Sequence, residues 1–202
     1  MTSHELDTLT THYDTYFGQD DCTVLHPIVS DGLHIDALLY PPNDKLPYWK
    51  MATAGASDYK MPDTKSTLGR YNEYVIFIDP DEDMTDREVA SWYYNKLLII
   101  ASFAHDNRTH VTYGHSFEWE NADESDEMVG AYIALPEITG DSRFLYCKTG
   151  ILKKVVCLQP VLLTRDDIDM LLNIGQSAFG SFIYPDSGRA HFICERKRSE
   201  KF

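Results

Sequence analysis

The sequence predicts an α+β fold, with a mixed, mostly antiparallel sheet and one long central helix. Strand-like segments occur on both sides of a single long helical segment, and shorter helical segments lie towards the two ends. A length of 202 residues suits one domain. We therefore expect residues 1–202 to form a single domain, with an N-terminal helix within 1–20 and a frayed basic tail at 195–202.

Three helices are expected from capping patterns and apolar spacing. Thr2 and Glu5 fit a capping box ahead of the amphipathic first helix, and Gly18 can end it. The central helix covers about 86–105, where apolar residues recur at helical spacing. The late helix covers about 165–174 and follows another capping-box pattern.

Eight strands are expected from alternation and from flanking turn residues. They cover residues 22–28, 34–41, 49–55, 73–80, 110–117, 129–136, 143–148 and 155–163. The segment AHFICERKRSEKF near the C-terminus is compatible with a last strand and with a frayed end.

The composition is strongly acidic. The chain has 32 Asp and Glu residues against 18 Lys and Arg residues, a formal net charge of −14. This charge opposes nucleic acid binding and favours either solubility or a basic protein partner. The N-terminus lacks signal-peptide regions, the longest apolar run (97–104) is too short to span a membrane, and the four cysteines form no C-x-x-C pair. We therefore expect a cytoplasmic protein with reduced thiols.

Motifs for metal binding and catalysis are incomplete. The acidic segment 79–88 has unsuitable residues at the sixth and twelfth positions of a calcium loop. GHSFE lacks the final glycine of a nucleophile elbow. His105, His110 and His115 recur every five residues and so share neither a helix face nor a strand face. The sequence therefore predicts no catalytic residue, no metal and no cofactor.

Several segments, in order, resemble the suppressor of fused family. They are HPIVSDGLHIDALLYPP, then YWKMATAGASDYKMP with the pattern T-x-G-x-S-x-x-x-M, then QPVLLTRDDIDMLLNIG. The residues of this chain that carry the motifs are His26, Pro27, Asp31, Thr53, Gly55, Ser57 and Met61. The chain is too short for the two-lobed animal members, and Ile78-Asp79-Pro80 replaces the family's usual Leu-Pro. It therefore resembles the single-domain bacterial members.

The motif at 53–61 is expected to be structural. Gly55 lets the chain leave its strand at a backbone conformation closed to other residues. Ser57 or Asp58 can bond to nearby backbone and hold the turn, and Met61 can fill a gap in the core. The alternative is that the segment lines a binding groove.

The resemblance implies a non-catalytic protein-binding module, and bacterial relatives are often placed with immunity proteins of toxin systems. An acidic inhibitor could cover the basic surface of a toxin and associate quickly by electrostatic steering. The segments 79–88 and 118–127 each carry six acids. Candidate partner-binding residues are Asp81, Glu82, Asp83, Glu118, Trp119, Glu120, Asp123, Glu124, Asp126 and Glu127.

Two alternatives stay open. A peptide adaptor would use an exposed sheet edge, for which 110–117 is the candidate. A hydrolase-like enzyme would combine Ser57 or Ser116 with a histidine and an aspartate, although no spacing in the sequence supports this. Trp119 is compatible with both an interface and the core, whereas Tyr93 fits core packing better.

Overall fold

A computed structural model describes residues 1–18, 22–27, 32–65, 68–120, 123–183 and 193–197. The helices in these ranges are α1 (Ser3–Phe17), α2 (Arg87–Asp106), α3 (Arg165–Ile174) and α4 (Gln176–Ile183). The strands are β1 (Thr23–Leu25), β2 (Asp36–Tyr40), β3 (Trp49–Ala54), β4 (Asn72–Ile78), β5 (Ser116–Glu118), β6 (Gly130–Ala134), β7 (Tyr146–Lys148), β8 (Lys154–Leu163) and β9 (Ile193–Cys194). The predicted α+β class is confirmed, together with its N-terminal, central and late helices.

Side-chain caps determine where the three predicted helices begin. Thr2 and Glu5 form the predicted capping box, because each side chain accepts a backbone N–H from the other residue. The carboxylate of Asp86 caps the first turn of α2. A second reciprocal pair, Thr164 with Asp167, begins α3. The local sequence therefore sets these helix starts directly.

The described strands form one sheet with the order β1-β2-β3-β4-β8-β6-β5, while β7 pairs with β8 and β9 pairs with β4. Neighbouring strands are antiparallel except at β4, which runs parallel to both β8 and β9. The register Asn72↔Val156 joins two strands that are far apart along the chain. The centre of the sheet therefore depends on long-range pairing.

Both faces of the central sheet are buried. Side chains alternate across a strand, so Tyr74 and Ile76 of β4 pack in the cluster that contains α2, and Val75 and Phe77 pack in the cluster that contains α1. A third cluster joins α3 and α4 to β6 and β8. None of the described helices is both long enough and apolar enough to cross a membrane.

The predicted strand at 110–117 is wrong over most of its length. The backbone turns at this point: the His115 N–H bonds to the Thr112 carbonyl oxygen, and Gly114 has a φ of +85°. The backbones of Gly114 and His115 bond to Ile133, and the regular register with β6 begins at Ser116. Alternating polarity suggested a strand, but a turn that contains a left-handed glycine ends the extended run.

Two further differences lie in the second half of the chain. The predicted strand 143–148 begins with a 3-10 turn over Ser142–Leu145, because the Asp141 carboxylate accepts a backbone N–H two residues later. The helix α4 was not predicted, since Gly180 and the short apolar run QSAFGSFI have weak helix signals. Part of the predicted basic tail, 198–202, lies outside the described residues.

Candidate functional site

The motif at the end of β3 closes around one buried carboxylate. Glu73 of β4 is fully buried. It accepts hydrogen bonds from the Thr53 hydroxyl at 2.6 Å and from the backbone N–H groups of Gly55, Ala56 and Ser57 at 3.0, 3.3 and 2.9 Å. Burial raises the pKa of Glu73, and the hydrogen bonds oppose that rise. The turn after β3 is therefore built on a side chain from the neighbouring strand.

Gly55 is the residue at which the chain leaves β3. Its φ is +127°, in the region that favours glycine. A Cβ atom at this position would lie 2.1 Å from the carbonyl oxygen of His34. The predicted positive φ is observed, and the close approach of the two backbones is a second reason that only glycine fits.

The other motif residues occupy distinct positions. The buried Ser57 hydroxyl has no partner of hydrogen-bonding geometry among the described residues, although it lies close enough to Glu73 to lower the pKa of that carboxyl. The backbone N–H of Ser57, rather than its side chain, holds the turn. Met61 is 2% exposed, and its sulfur accepts the N–H of Val111 at 3.3 Å. His26 is exposed and Pro27 half-buried after β1, and Asp31 lies outside the described residues.

The first acidic segment, 79–88, contains exposed and structural carboxylates. Asp81 and Asp83 are exposed. Glu82 instead is half-buried and accepts hydrogen bonds from the Tyr93 hydroxyl at 2.8 Å and from Arg196 Nε at 2.9 Å. Of the three candidate residues in this segment, Glu82 therefore joins the segment to α2 and to Arg196, which follows β9.

The second acidic segment, 118–127, is fastened to α2 through a buried lysine. Lys96 is 5% exposed, and its Nζ lies 2.6 Å from the Asp126 carboxylate. The same Nζ lies 5.3 Å from the ring centroids of both Trp92 and Trp119. The indole N–H of Trp119 donates to the Met128 carbonyl oxygen at 3.0 Å. Trp119 and Asp126 therefore hold this segment in place.

The remaining carboxylates of the second segment are exposed. Glu118 pairs with Arg165 at 2.6 Å. Hydrogen bonds from Ser125 lower the pKa of Asp123 and keep it ionised. The exposed acids of this segment are Glu118, Glu120, Asp123, Glu124 and Glu127.

Helix α2 brings the two acidic segments together. Glu82 of the first segment bonds to Tyr93, and Asp126 of the second bonds to the indole N–H of Trp92 at 3.0 Å. These two aromatic residues are neighbours, with ring centroids 4.8 Å apart. The sequence left the relative position of the segments open. In the fold, both flank the N-terminal half of α2, and we name the exposed acids among the predicted partner-binding residues the acidic face: Asp81, Asp83, Glu118, Glu120, Asp123, Glu124 and Glu127.

A groove of about 900 Å³ lies between β1 and α2. Its lining includes Thr23, Leu25, Trp49, Ala90, Tyr94 and Leu98. The strand β1 ends one side of the sheet, and the side chain of Val24 is 43% exposed there. This groove is a second place where a partner could contact the fold.

The two serines of the enzyme hypothesis are not brought into a catalytic arrangement. Ser57 is buried beside Glu73, and Ser116 is exposed on β5. In the part of the chain that the structure describes, neither hydroxyl bonds to a histidine. The edge predicted at 110–117 contributes β5 from Ser116 onwards, which pairs with β6 and ends the side of the sheet opposite β1.

Sequence reasoning missed two charged residues that organise these sites. Glu73 stands at the head of the apolar strand run YVIFI, and Lys96 lies within the apolar stripe of α2. A single charge inside an apolar pattern is the signal that could have marked both, since buried charges need partners. Their partners are distant in the sequence, so the sequence alone could not predict which residues they contact.

The fold is similar to several solved structures. A SUFU homologue from Neisseria gonorrhoeae FA 1090 has a TM-score of 0.63 and 14% identity, with 94% of this chain and 97% of that chain covered. The Sufu–Fu complex structure has a TM-score of 0.65 and 14% identity, with 96% of this chain and 89% of that chain covered. The structure of Drosophila Suppressor of Fused has a TM-score of 0.65 and 15% identity, with 96% of this chain and 50% of that chain covered.

No curated protein sequence matches the chain. The family described as Suppressor of fused protein (SUFU) does match, over residues 31–185. This range is more than half of the 202 residues and contains the motif residues from Asp31 to Met61. The chain therefore belongs to the suppressor of fused family.

Proposed function

We propose that this domain is a non-catalytic protein-binding module of the immunity type, which covers a basic surface of a toxin with its acidic face. The observation that carries the proposal is the meeting of two distant acidic segments at Trp92 and Tyr93 of α2. A solved relative in complex with Fu supports the protein-binding class. The proposed immunity role and the proposed basic partner rest on the negative charge of the acidic face.

The charges of the acidic face favour a basic partner. Asp81, Glu120, Glu124 and Glu127 are exposed, and none of these described side chains forms an ion pair. Carboxylates that are free in the unbound protein can bind lysine and arginine without first breaking internal pairs. Their combined field accelerates the association of an oppositely charged protein.

The test compares two variants that have the same change in net charge. The face variant replaces Asp81, Glu120, Glu124 and Glu127 with their amides. The control variant replaces four exposed acids elsewhere with their amides: Asp7, Asp44, Glu137 and Asp169. Each protein is used to capture partners from the source cell, and the association rate of a captured protein is then measured against salt concentration.

We expect the face variant to associate at least about tenfold more slowly at low salt, with the difference shrinking as salt rises. The control variant should behave like the wild type. Co-expression with the wild type should also protect cells from the captured protein. Equal rates for the two variants would show that the acidic face only promotes solubility, and an absence of protection would reject the immunity role.

The groove beside β1 favours a second candidate function, a peptide adaptor. An extended peptide could add to the edge strand and place side chains in the groove. Asn95 lines the groove from the exposed side of α2, so Asn95→Trp would fill it without disturbing the core. Loss of partner binding in this variant, with weak salt dependence in the wild type, would favour the adaptor over the immunity protein.

A further inference from the structure

Three potential metal ligands meet at the end of the β1–β2 pair where the connecting loop joins the two strands. Leu25 pairs with Ala37, so the next position outwards brings His26 opposite Asp36. Side chains two residues apart on an extended chain share a face, which places His34 beside Asp36. The pairing of two strands therefore brings two imidazoles and one carboxylate together.

The distances between these groups are short. His26 Nδ1 lies 2.8 Å from Asp36 Oδ1, and His34 Nε2 lies 2.9 Å from the same oxygen. The three ligand atoms all lie within 4.8 Å of one another. Among the histidines, cysteines and acids that the structure describes, these three have ligand atoms close enough together to hold a metal ion. One nitrogen of each imidazole therefore lies within 2.9 Å of the same carboxylate oxygen, and an ion bound between the three groups would contact each of them.

We propose that His26, His34 and Asp36 bind a zinc ion. Two imidazole nitrogens and one carboxylate oxygen form a donor set that suits Zn²⁺. Three protein ligands leave a fourth position of a tetrahedral site open to water or to a ligand from outside. The site is independent of the acidic face and adds a binding activity to the proposed function.

The surroundings permit entry of the ion and access to the open position. The side chains of His26 and His34 are 64% and 60% exposed, whereas that of Asp36 is 19% exposed. His26 also lines two cavities, the groove of about 900 Å³ and a second cavity of about 470 Å³ that Asp36 lines as well. A zinc ion at this position would therefore lie next to the surface where the adaptor hypothesis places a peptide.

The experiment titrates Zn²⁺ into the full chain in competition with a chromophoric chelator. The wild type is compared with His34→Ala, Asp36→Asn and His26→Gln. The control is the double variant His110→Ala/His115→Ala, because those two rings lie 5.2 Å apart but lack a third ligand among the described residues. Melting temperatures without zinc check that every variant folds.

We expect the wild type and the control to bind one zinc ion with equal affinity. Each ligand variant should bind at least about tenfold more weakly, since changes even to residues around a metal site cost 10–100-fold. Zinc should raise the melting temperature of the wild type and the control but not of the ligand variants. The proposal fails if the wild type takes no zinc from the chelator, or if folded ligand variants bind as tightly as the wild type.

Discussion

Replacing Gly55 with alanine should lower the free energy of unfolding by roughly 3–5 kcal/mol. A side chain at a φ of +127° is strained, which costs about 1–2 kcal/mol. The new methyl group would also lie 2.1 Å from the His34 carbonyl oxygen. Because that oxygen belongs to the backbone, it cannot rotate away, and overpacking of this kind costs about 2–3 kcal/mol more.

The strain and the clash can be separated with a matched glycine. Gly140 also has a positive φ, +67°, but a Cβ atom there would meet no heavy atom within 4 Å. Gly140→Ala should therefore lose only the backbone part, about 1–2 kcal/mol. Urea unfolding of both variants measures the difference, and a loss of 3–5 kcal/mol corresponds to a midpoint shift of roughly 1.5–2.5 M if the slope is about 2 kcal/mol per molar.

Equal midpoint shifts for Gly55→Ala and Gly140→Ala would refute the reasoning. Such a result would mean that the ends of β2 and β3 move apart at little cost. A changed slope for Gly55→Ala alone would instead show that the folded or unfolded ensemble has altered, and the comparison would then use hydrogen exchange of the Ser57 amide.

Three further predictions concern the buried charges. Glu73→Ala should cost roughly 3–5 kcal/mol, because three buried N–H groups lose their acceptor, and Glu73→Gln should cost about half as much; equal losses in urea unfolding would contradict this account. Burial lowers the pKa of Lys50 from 10.5 to about 8, so the native state releases this proton first and the contribution of Lys50 to stability should rise between these pH values by up to about 3 kcal/mol. Lys50→Met should therefore be more stable than the wild type at pH 7 and should lose this advantage as the pH rises; a stability difference between the two proteins that does not change with pH, measured by urea unfolding of both, would exclude the effect. Lys96→Met should cost roughly 3–5 kcal/mol by leaving Asp126 without its cation, whereas Lys96→Met/Asp126→Asn should recover part of the loss; an additive double-mutant cycle would argue against the pair.

Local signals accounted for much of the fold. The capping boxes at Thr2 and Thr164 and the apolar stripe of α2 lie within a few residues of what they specify, so the helices could be predicted. The strand predicted at 110–117 was wrong over most of its length, because alternating polarity does not show that the chain turns at Gly114. The helix α4 gave no comparable signal, since its stability comes from packing on β6 and β8.

The candidate site was only partly predictable, because its contacts join residues that are far apart in the sequence. The sequence marked two acidic segments but could not distinguish exposed carboxylates from those of Glu82 and Asp126, which bond to side chains elsewhere in the chain. Burial and long-range partners decide that difference. The trio around Asp36 was equally hidden, because the strand register, rather than sequence spacing, brings His26 to it.

The parallel pairing of β4 with β8 has a consequence for synthesis of the protein. Val156 is made long after Asn72, so the β4 edge is bare while the intervening residues leave the ribosome. An uncovered apolar strand in a nascent chain is exposed to wrong pairing with other chains. Slowing translation before residue 154 should therefore lengthen the period in which chaperones must protect the emerging polypeptide.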